Sequence, residues 1–290
     1  MSAGAAGGSR ARRPGPTVRT RVVEQLADDD APDGTREKRH EDRLATEEPL
    51  EVRLEWPGRE AHRVWVTMRT PGHDFELAAG WARHEGLVAT LDDVARVAYC
   101  TDESLDPEQE FNVVTLTLRA PPPHEPGPRS TAVSAGSSAC GVCGADSLDA
   151  ALSVAHGSAW TGELPSPSVV RGLPDRLRER QQVFDRTGGV HAAGLATAAG
   201  ELLVVREDIG RHNAVDKVTG ARLLAGDPVA DACLVVSGRA GFELVQKAVA
   251  AGMGSLAAVG APTSLSVDLA KKAGLGLWGF TRERRTVRYV

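Results

Sequence analysis

Ala232-Cys233-Leu234-Val235-Val236-Ser237 runs into Gly238-Arg239-Ala240-Gly241 and then into Phe242 to Ala251. The opening residues are nearly all apolar and end at a glycine loop, the pattern of a strand buried on both faces. Phe242, Val245 and Val249 recur at helical spacing, so a helix follows the loop. The alternation continues downstream: a strand over Ser255 to Val259, a helix over Ser264 to Ala273, a strand over Leu275 to Phe280. Upstream, Leu202 to Arg206 reads as a strand and Asn213 to Leu224 as a helix with Ala214, Val215, Val218 and Ala221 inside. Strands alternating with short helices predict an α/β fold with a largely parallel, layered sheet. Thr286 to Val290 is expected to pair at its edge.

Ahead of this core the patterning changes. Leu50, Val52, Leu54 and Trp56 alternate with polar residues, Pro57-Gly58 turns the chain, and Val64, Val66 and Met68 alternate again, which predicts a hairpin. A helix starts at Asp74 as N-cap and buries Leu77, Ala78, Trp81 and Ala82. Two strands follow, over Val94 to Cys100 and Phe111 to Leu118. Pro165 to Pro174 reads as irregular and Asp175 to Phe184 as a polar helix. Three regions result: residues 1–43 as a disordered tail with one edge strand over Val18 to Leu26, residues 44–125 as a smaller α+β portion, and residues 126–290 as the α/β core.

The chain has 290 residues, 41% hydrophobic and 25% charged, ordinary values for a globular protein. A formal net charge of -5 offers no basic field for nucleic acid. No apolar run is long enough to span a membrane, and the arginine-containing N-terminus lacks the apolar segment of a secretory signal. Four cysteines make no disulfide framework, so a reducing cytoplasm fits best. Cys100 and Cys233 sit in strand patterns and are expected to be buried and inert.

The other two cysteines stand in Cys140-Gly141-Val142-Cys143-Gly144, with small residues from Ser134 to Ser138 before them and helical spacing over Asp146 to Val154 after them. Two thiols this close can form a disulfide, supply half of a zinc site, or carry sulfur as a persulfide. A structural zinc would need two further ligands that the neighbouring sequence lacks. Ser237 to Gly241 and Val259 to Ser264 each sit where a strand meets a helix, the place where open α/β sheets bind anions. Glu207 to Lys217 packs charges of both signs, His212 and Asn213 around another such junction, and is expected to form a polar site wall. Phe280-Thr281-Arg282-Glu283-Arg284-Arg285 offers an aromatic ring and several guanidinium groups. No G-x-G-x-x-G opens a βαβ unit, no P-loop is present, and there is no G-x-S-x-G elbow. A zinc deaminase would need H-x-E, but His191-Ala192-Ala193 has alanine where the proton shuttle stands, and the C-x-x-C precedes it.

These blocks together, Ser137-Ser-Ala-Cys140-Gly-Val-Cys143-Gly, Thr187-Gly-Gly-Val-His191, Glu207 to Lys217, Ser237-Gly-Arg-Ala-Gly-Phe-Glu243 and Gly279-Phe-Thr-Arg282, resemble the signature blocks of the FdhD family of formate dehydrogenase accessory proteins. Thr67 to Asp74 and Glu85-Gly86 resemble its N-terminal blocks, so the resemblance runs from about residue 43 to the end. It implies a fold similar to cytidine deaminases. It also implies a sulfurtransferase-like carrier that takes sulfur from a cysteine desulfurase as a persulfide on Cys140, with Cys143 as its partner thiol. The sulfur would pass to the bis-molybdopterin guanine dinucleotide form of the molybdenum cofactor before insertion into formate dehydrogenase, in the cytoplasm, from a homodimer. The cofactor-binding segment maps onto Phe280, Thr281, Arg282, Glu283, Arg284 and Arg285, with guanine nucleotides as mimics and no resident metal. The alternatives are a cofactor chaperone that moves no sulfur, and a zinc-binding or thiol-disulfide protein.

Overall fold

A computed structural model describes residues 13–31, 33–100, 110–126 and 160–290. The cysteine loop with Cys140 and Cys143, the small residues before it and the helix expected over Asp146 to Val154 lie outside these residues.

The chain begins with an antiparallel hairpin of β1 (Thr17–Ala27) and β2 (Thr35–Ala45). This corrects the tail expected through residue 43. The strand over Val18 to Leu26 was legible from its spaced apolar residues, but β2 is almost entirely charged and gave no such pattern.

A four-stranded sheet follows, built from β3 (Glu48–Trp56), β4 (Arg59–Arg69), β5 (Val94–Tyr99) and β6 (Val113–Leu118) in the order β4-β3-β6-β5. Leu50, Val52, Leu54 and Trp56 all point into its core, as their period of two requires. Helix α1 (Asp74–His84) lies in the same core through Leu77, Ala78, Trp81 and Ala82. Its N-cap is His73, in the left-handed region at φ 58°, rather than Asp74. Asp74 is turned inward instead, where Arg69 Nε and Nη2 donate to its two oxygens at 3.0 and 3.3 Å and the Tyr99 hydroxyl donates at 2.8 Å. A buried carboxylate with three donors no longer serves as a cap.

The second sheet has six strands: β7 (His191–Ala196), β8 (Leu202–Asp208), β9 (Cys233–Val236), β10 (Ser255–Ala258), β11 (Gly276–Arg282) and β12 (Arg285–Arg288). Their order is β12-β11-β10-β9-β7-β8. Only β9, β10 and β11 run parallel; β7, β8 and β12 each pair antiparallel. The sheet is thus less parallel than the alternation implied, because β7 and β8 form a hairpin and β11 returns into β12 through the short turn Glu283-Arg284. Helices α4 (Arg211–Leu224), α5 (Phe242–Ala250) and α6 (Ser264–Ala273) cover one face. Helix α2 (Pro167–Arg178) covers the other through Val170, Leu173 and Leu177, and α3 (Gln182–Thr187) follows it. The three prolines Pro165, Pro167 and Pro174 had marked residues 165–174 as irregular. Pro167 instead occupies the first helical position after the N-cap Ser166, where a missing N–H costs nothing.

The two sheets are joined where α1 crosses α4. Gly80 and Gly220 meet there: a Cβ on Gly80 would fall 1.8 Å from the Asp216 carbonyl oxygen, and one on Gly220 1.8 Å from that of Glu76. Backbone-to-backbone contact of this kind admits only hydrogen as a side chain. Beside the crossing, buried His84 Nδ1 lies 2.6 Å from Asp216 Oδ1, which also accepts from Lys247 Nζ at 2.6 Å, while His84 Nε2 lies 3.0 Å from the Thr219 hydroxyl.

Burial pushes the His84 pKa down to about 4, against the opposing pull of Asp216. The unfolded chain therefore binds more protons than the folded one as pH falls from the ordinary histidine range toward 4, and stability drops across that window. The loss expected from this residue is at most ~3 kcal/mol. Urea unfolding of wild type and His84→Asn between pH 7.5 and 4.5 checks it: the wild-type slope with pH should exceed that of the variant.

Candidate functional site

The parallel strands β9, β10 and β11 end together, and their carboxyl-terminal loops are bonded into one rim. Ser237 N donates to the Ala192 carbonyl at 3.0 Å, and Ala192 N to Ser237 Oγ at 2.9 Å. Gly260 N donates to the Gly238 carbonyl at 2.9 Å, and Phe280 N to the Gly260 carbonyl at 3.0 Å. Ala240 N reaches the Ala261 carbonyl at 3.2 Å. The antiparallel hairpin brings His191 and Asp208 to the same rim, since they pair across β7 and β8. So the Ser237–Gly241, Val259–Ser264 and Phe280–Arg285 segments are neighbours, as their places after successive strands predict.

Close approach explains the glycines. A Cβ on Gly260 would sit 2.9 Å from Arg239 Cγ, and one on Gly279 2.8 Å from Pro262 Cδ. Two of the three helices that start here have glycine N-caps without a side-chain cap: Gly210 for α4 and Gly241 for α5. Their first-turn amides are therefore not taken up by a capping side chain, which suits an anion. Helix α6 differs, because Thr263 and Ser266 close a capping box on it.

Phe280 is exposed and lies in the left-handed region at φ 51°. A bulky residue there costs ~1–3 kcal/mol and is held by its surroundings; here a register shift between Gly279 and Arg282 in the β11–β12 pairing accommodates it. The Arg285 guanidinium lies 5.4 Å from the centre of the Phe280 ring. Arg282, Glu283, Arg284 and Arg285 are all exposed. Thr281 points the other way: it is fully buried and its hydroxyl is 3.0 Å from that of Thr286.

The electrostatics of the rim are mixed. His212 Nε2 lies 2.8 Å from Glu243 Oε2, and that contact, more than burial opposes it, holds the Glu243 carboxyl below the usual range. Burial pushes the His191 pKa down, and the nearby positive charge of Arg211 adds to the shift. Arg211 Cδ lies 3.9 Å from where a Gly238 Cβ would be, and exposed Arg239 follows Gly238 in the chain, so both supply positive charge to this edge.

The Glu207–Lys217 run has a second role that its composition concealed. Lys217 Nζ pairs with Asp208 Oδ2 at 2.6 Å, both fully enclosed, and donates to the Thr70 carbonyl at 2.9 Å. Asn213 Nδ2 donates to the Met68 carbonyl at 2.8 Å and to Asp208 Oδ1 at 3.1 Å, while Ile209 N donates to Thr70 Oγ1 at 3.1 Å. These bonds lock the end of β4 to the start of α4. Asp208, Asn213 and Lys217 thus hold the wall in place, and Arg211 and His212 face the rim. Sequence spacing signalled neither partner, since Thr70 and Asp208 are far apart in the chain.

Cys233 is buried, and burial pushes its pKa up to about 11, so it is not a nucleophile at neutral pH. Cys100 is half-buried rather than enclosed, with Arg53 Nη1 at 3.7 Å from its sulfur. Among the described residues no cluster of histidine, cysteine and acidic side chains can hold a metal ion, and no helix is long and apolar enough to cross a membrane.

Comparison with known proteins gives a consistent result. The sulfur carrier protein FdhD of Streptomyces avermitilis is 47% identical over 247 residues, covering 83% of this chain and 84% of its own. That of Corynebacterium efficiens is 46% identical over 258 residues, 86% of this chain and 89% of its own. That of Mycobacterium tuberculosis is 45% identical over 244 residues, 82% and 86%. A crystal structure described as a formate dehydrogenase accessory protein, from Desulfotalea psychrophila, superposes with a TM-score of 0.67 over 94% of this chain and 96% of its own, at 20% identity, and shares the fold. The FdhD/NarQ family matches residues 45–290, and the chain belongs to that family.

Proposed function

We propose that this protein is a sulfur carrier serving formate dehydrogenase. The reading is supported by relatives named sulfur carriers that match over four-fifths of the chain, and by the C-x-x-C that the sequence carries. In the inward step the Cys140 thiolate attacks the outer sulfur of a desulfurase persulfide. A new S–S bond forms on Cys140, and the desulfurase thiolate leaves. In the outward step Cys143 thiolate attacks the Cys140 sulfur and expels hydrosulfide toward the acceptor. The two electrons come from the cysteine pair, which ends as a disulfide and is reset by a cellular dithiol. The acceptor we infer is the molybdenum cofactor in its bis-molybdopterin guanine dinucleotide form, the substrate of the transfer. A cytoplasmic setting fits free thiols. The fold we infer is similar to that of cytidine deaminases, with alanine at position 193 where their proton-shuttling glutamate stands.

The observation that supports the cofactor end most is the rim. Open helix starts at Gly210 and Gly241, with Arg211 and Arg239 beside them, suit phosphates, and Phe280 with Arg282 and Arg285 suits a base. Several charge-assisted contacts of ~1.5–3 kcal/mol each, less the cost of immobilisation, give about micromolar affinity for GDP. Thr281 would contribute through its main chain, its side chain being turned inward. Calorimetric titration of GDP into wild type, Phe280→Ala and Arg282→Ala tests the assignment, with ADP as control. Loss of the Arg282 charge should weaken GDP binding about tenfold, equivalent to ~1.4 kcal/mol. Equal binding by all three proteins would remove this segment from the site, and equal binding of ADP would leave phosphate recognition alone.

A further inference from the structure

His191 opens β7, and because β7 runs antiparallel to β9 it stands at the carboxyl end of that strand, beside Ser237. Its imidazole is half-buried and meets no hydrogen-bond or ion-pair partner among the described residues. Nδ1 and Cε1 of the ring lie 3.7 and 3.8 Å from where a Gly238 Cβ would be, and Arg211 Cδ lies 3.9 Å from the same point. These are ordinary contacts, and Gly238 is not in the left-handed region. Neither packing nor backbone therefore demands glycine there, and its missing side chain leaves a slot between an imidazole and a guanidinium. The charged groups facing the ring are Asp208 on β8 and Arg211 and His212 on α4, and His212 is paired with Glu243 on α5. Burial, with Arg211 and His212 beside it, holds the His191 pKa below the usual histidine range, so the ring of the empty rim is neutral at pH 7.

The order of strands sets how far this ring is from the Phe280 segment. From β11 through β10 and β9 to β7 are three steps between neighbouring strands, about 14 Å in all. A guanine on Phe280, with its phosphates at Arg239 and the start of α5, therefore points along the rim toward β7. The part of the cofactor attached beyond the diphosphate, the pterin and its metal, comes to lie over His191.

Delivery of sulfur to that metal exchanges one ligand for another. The hydrosulfide expelled from the cysteine pair carries one proton. An oxo ligand on the metal needs two protons to leave as water. The sulfur stays behind as a sulfido ligand, and the oxidation state of the metal does not change. One proton per sulfur is therefore missing. We infer that His191 is the catalytic acid of this exchange: its imidazolium donates to the departing oxygen, and solvent reprotonates the half-exposed ring. The inference rests on the sulfur-carrier reading above and adds to it the proton donor. An anionic cofactor favours the charged ring, so the proton is taken up as the cofactor binds. A ring with a lowered pKa is then a strong donor to the metal-bound oxygen. His212 is not free for this task, because Glu243 holds its Nε2 at 2.8 Å.

The test separates loading from delivery. Persulfide-loaded full chain is mixed with the molybdenum cofactor and formate dehydrogenase that lacks it, and the rate of activation is followed against pH. His191→Ala and His191→Gln should take up sulfur on Cys140 by intact mass and bind GDP by calorimetry as wild type does, which shows that both are folded. Delivery should fall about 100-fold in each, the effect of losing one general acid. Added imidazole should restore much of the rate to His191→Ala, where it can occupy the place of the ring beside Gly238, and little to His191→Gln. The restoration should grow as pH falls and imidazole becomes protonated, and wild-type delivery should slow as pH rises. A merely structural role would not respond to imidazole or to its protonation. Delivery at the wild-type rate by either variant, or a slow His191→Ala that imidazole does not restore, would overturn the proposal. A wild type that gains no sulfur on Cys140 would instead remove the carrier reading, and this step with it.

Discussion

A Gly220→Ala protein is expected to lose about 3 kcal/mol or more of stability, a value at the upper end for overpacking. The added methyl would sit 1.8 Å from the Glu76 carbonyl oxygen, and Gly80→Ala has the same geometry against Asp216. The obstructing atoms are backbone in a helix, so no side chain can rotate away. The α1–α4 crossing must widen, and with it the contact of Leu223 with the first core. Urea denaturation measures it. A midpoint within error of wild type for both variants would show that the helices are not in contact at these residues.

Asp208→Ala should cost about 3–5 kcal/mol, because it leaves the Lys217 ammonium buried without its counter-charge. Lys217→Met should cost less. Asp208 keeps donors from Thr70 N, Gly210 N and Asn213 Nδ2, and burial already pushes its pKa up, so without Lys217 it can take up a proton rather than leave a bare charge. The same cluster sets the start of α4, so Asp208→Ala should also weaken GDP binding at the rim, although Asp208 is enclosed and touches no ligand. Denaturation and titration of both variants decide it. A larger loss from Lys217→Met than from Asp208→Ala would contradict the assignment of Asp208 as the centre of the cluster.

How much of this was legible before the structure depends on the range of the signal. β3, β4, α6 and the strand–loop–helix units from β9 onward follow from periodicity and turn residues close in the chain. The start of α6 at Ser264 was readable for the same reason. Three features were not. The charged β2 has no apolar period, because neither face of the ribbon reaches a core. Pro167 and Pro174 hid α2, since proline breaks a helix except where its N–H is not needed. The antiparallel placement of β7 depends on where the chain crosses after α4, which no local pattern records. At the site, a shared rim follows from loops at the ends of successive strands, but the bonds that join it through Gly238, Gly260 and Phe280 are a long-range fact. So is the link of Thr70 to Asp208 and Lys217. Phe280 stood out as an aromatic among arginines; its left-handed backbone and the inward turn of Thr281 come from the bulge in β11.

The central proposal, sulfur carried on Cys140, is tested most directly by intact mass. The protein is incubated with a cysteine desulfurase and cysteine, then weighed without reductant. Wild type should gain the mass of one sulfur atom, reversed by a dithiol. Cys140→Ser should gain none, and Cys143→Ser should keep the added sulfur but pass it on poorly, with formate dehydrogenase activity as the readout. If Cys140→Ser gains the same sulfur as wild type and supports full formate dehydrogenase activity, Cys140 is not the carrier.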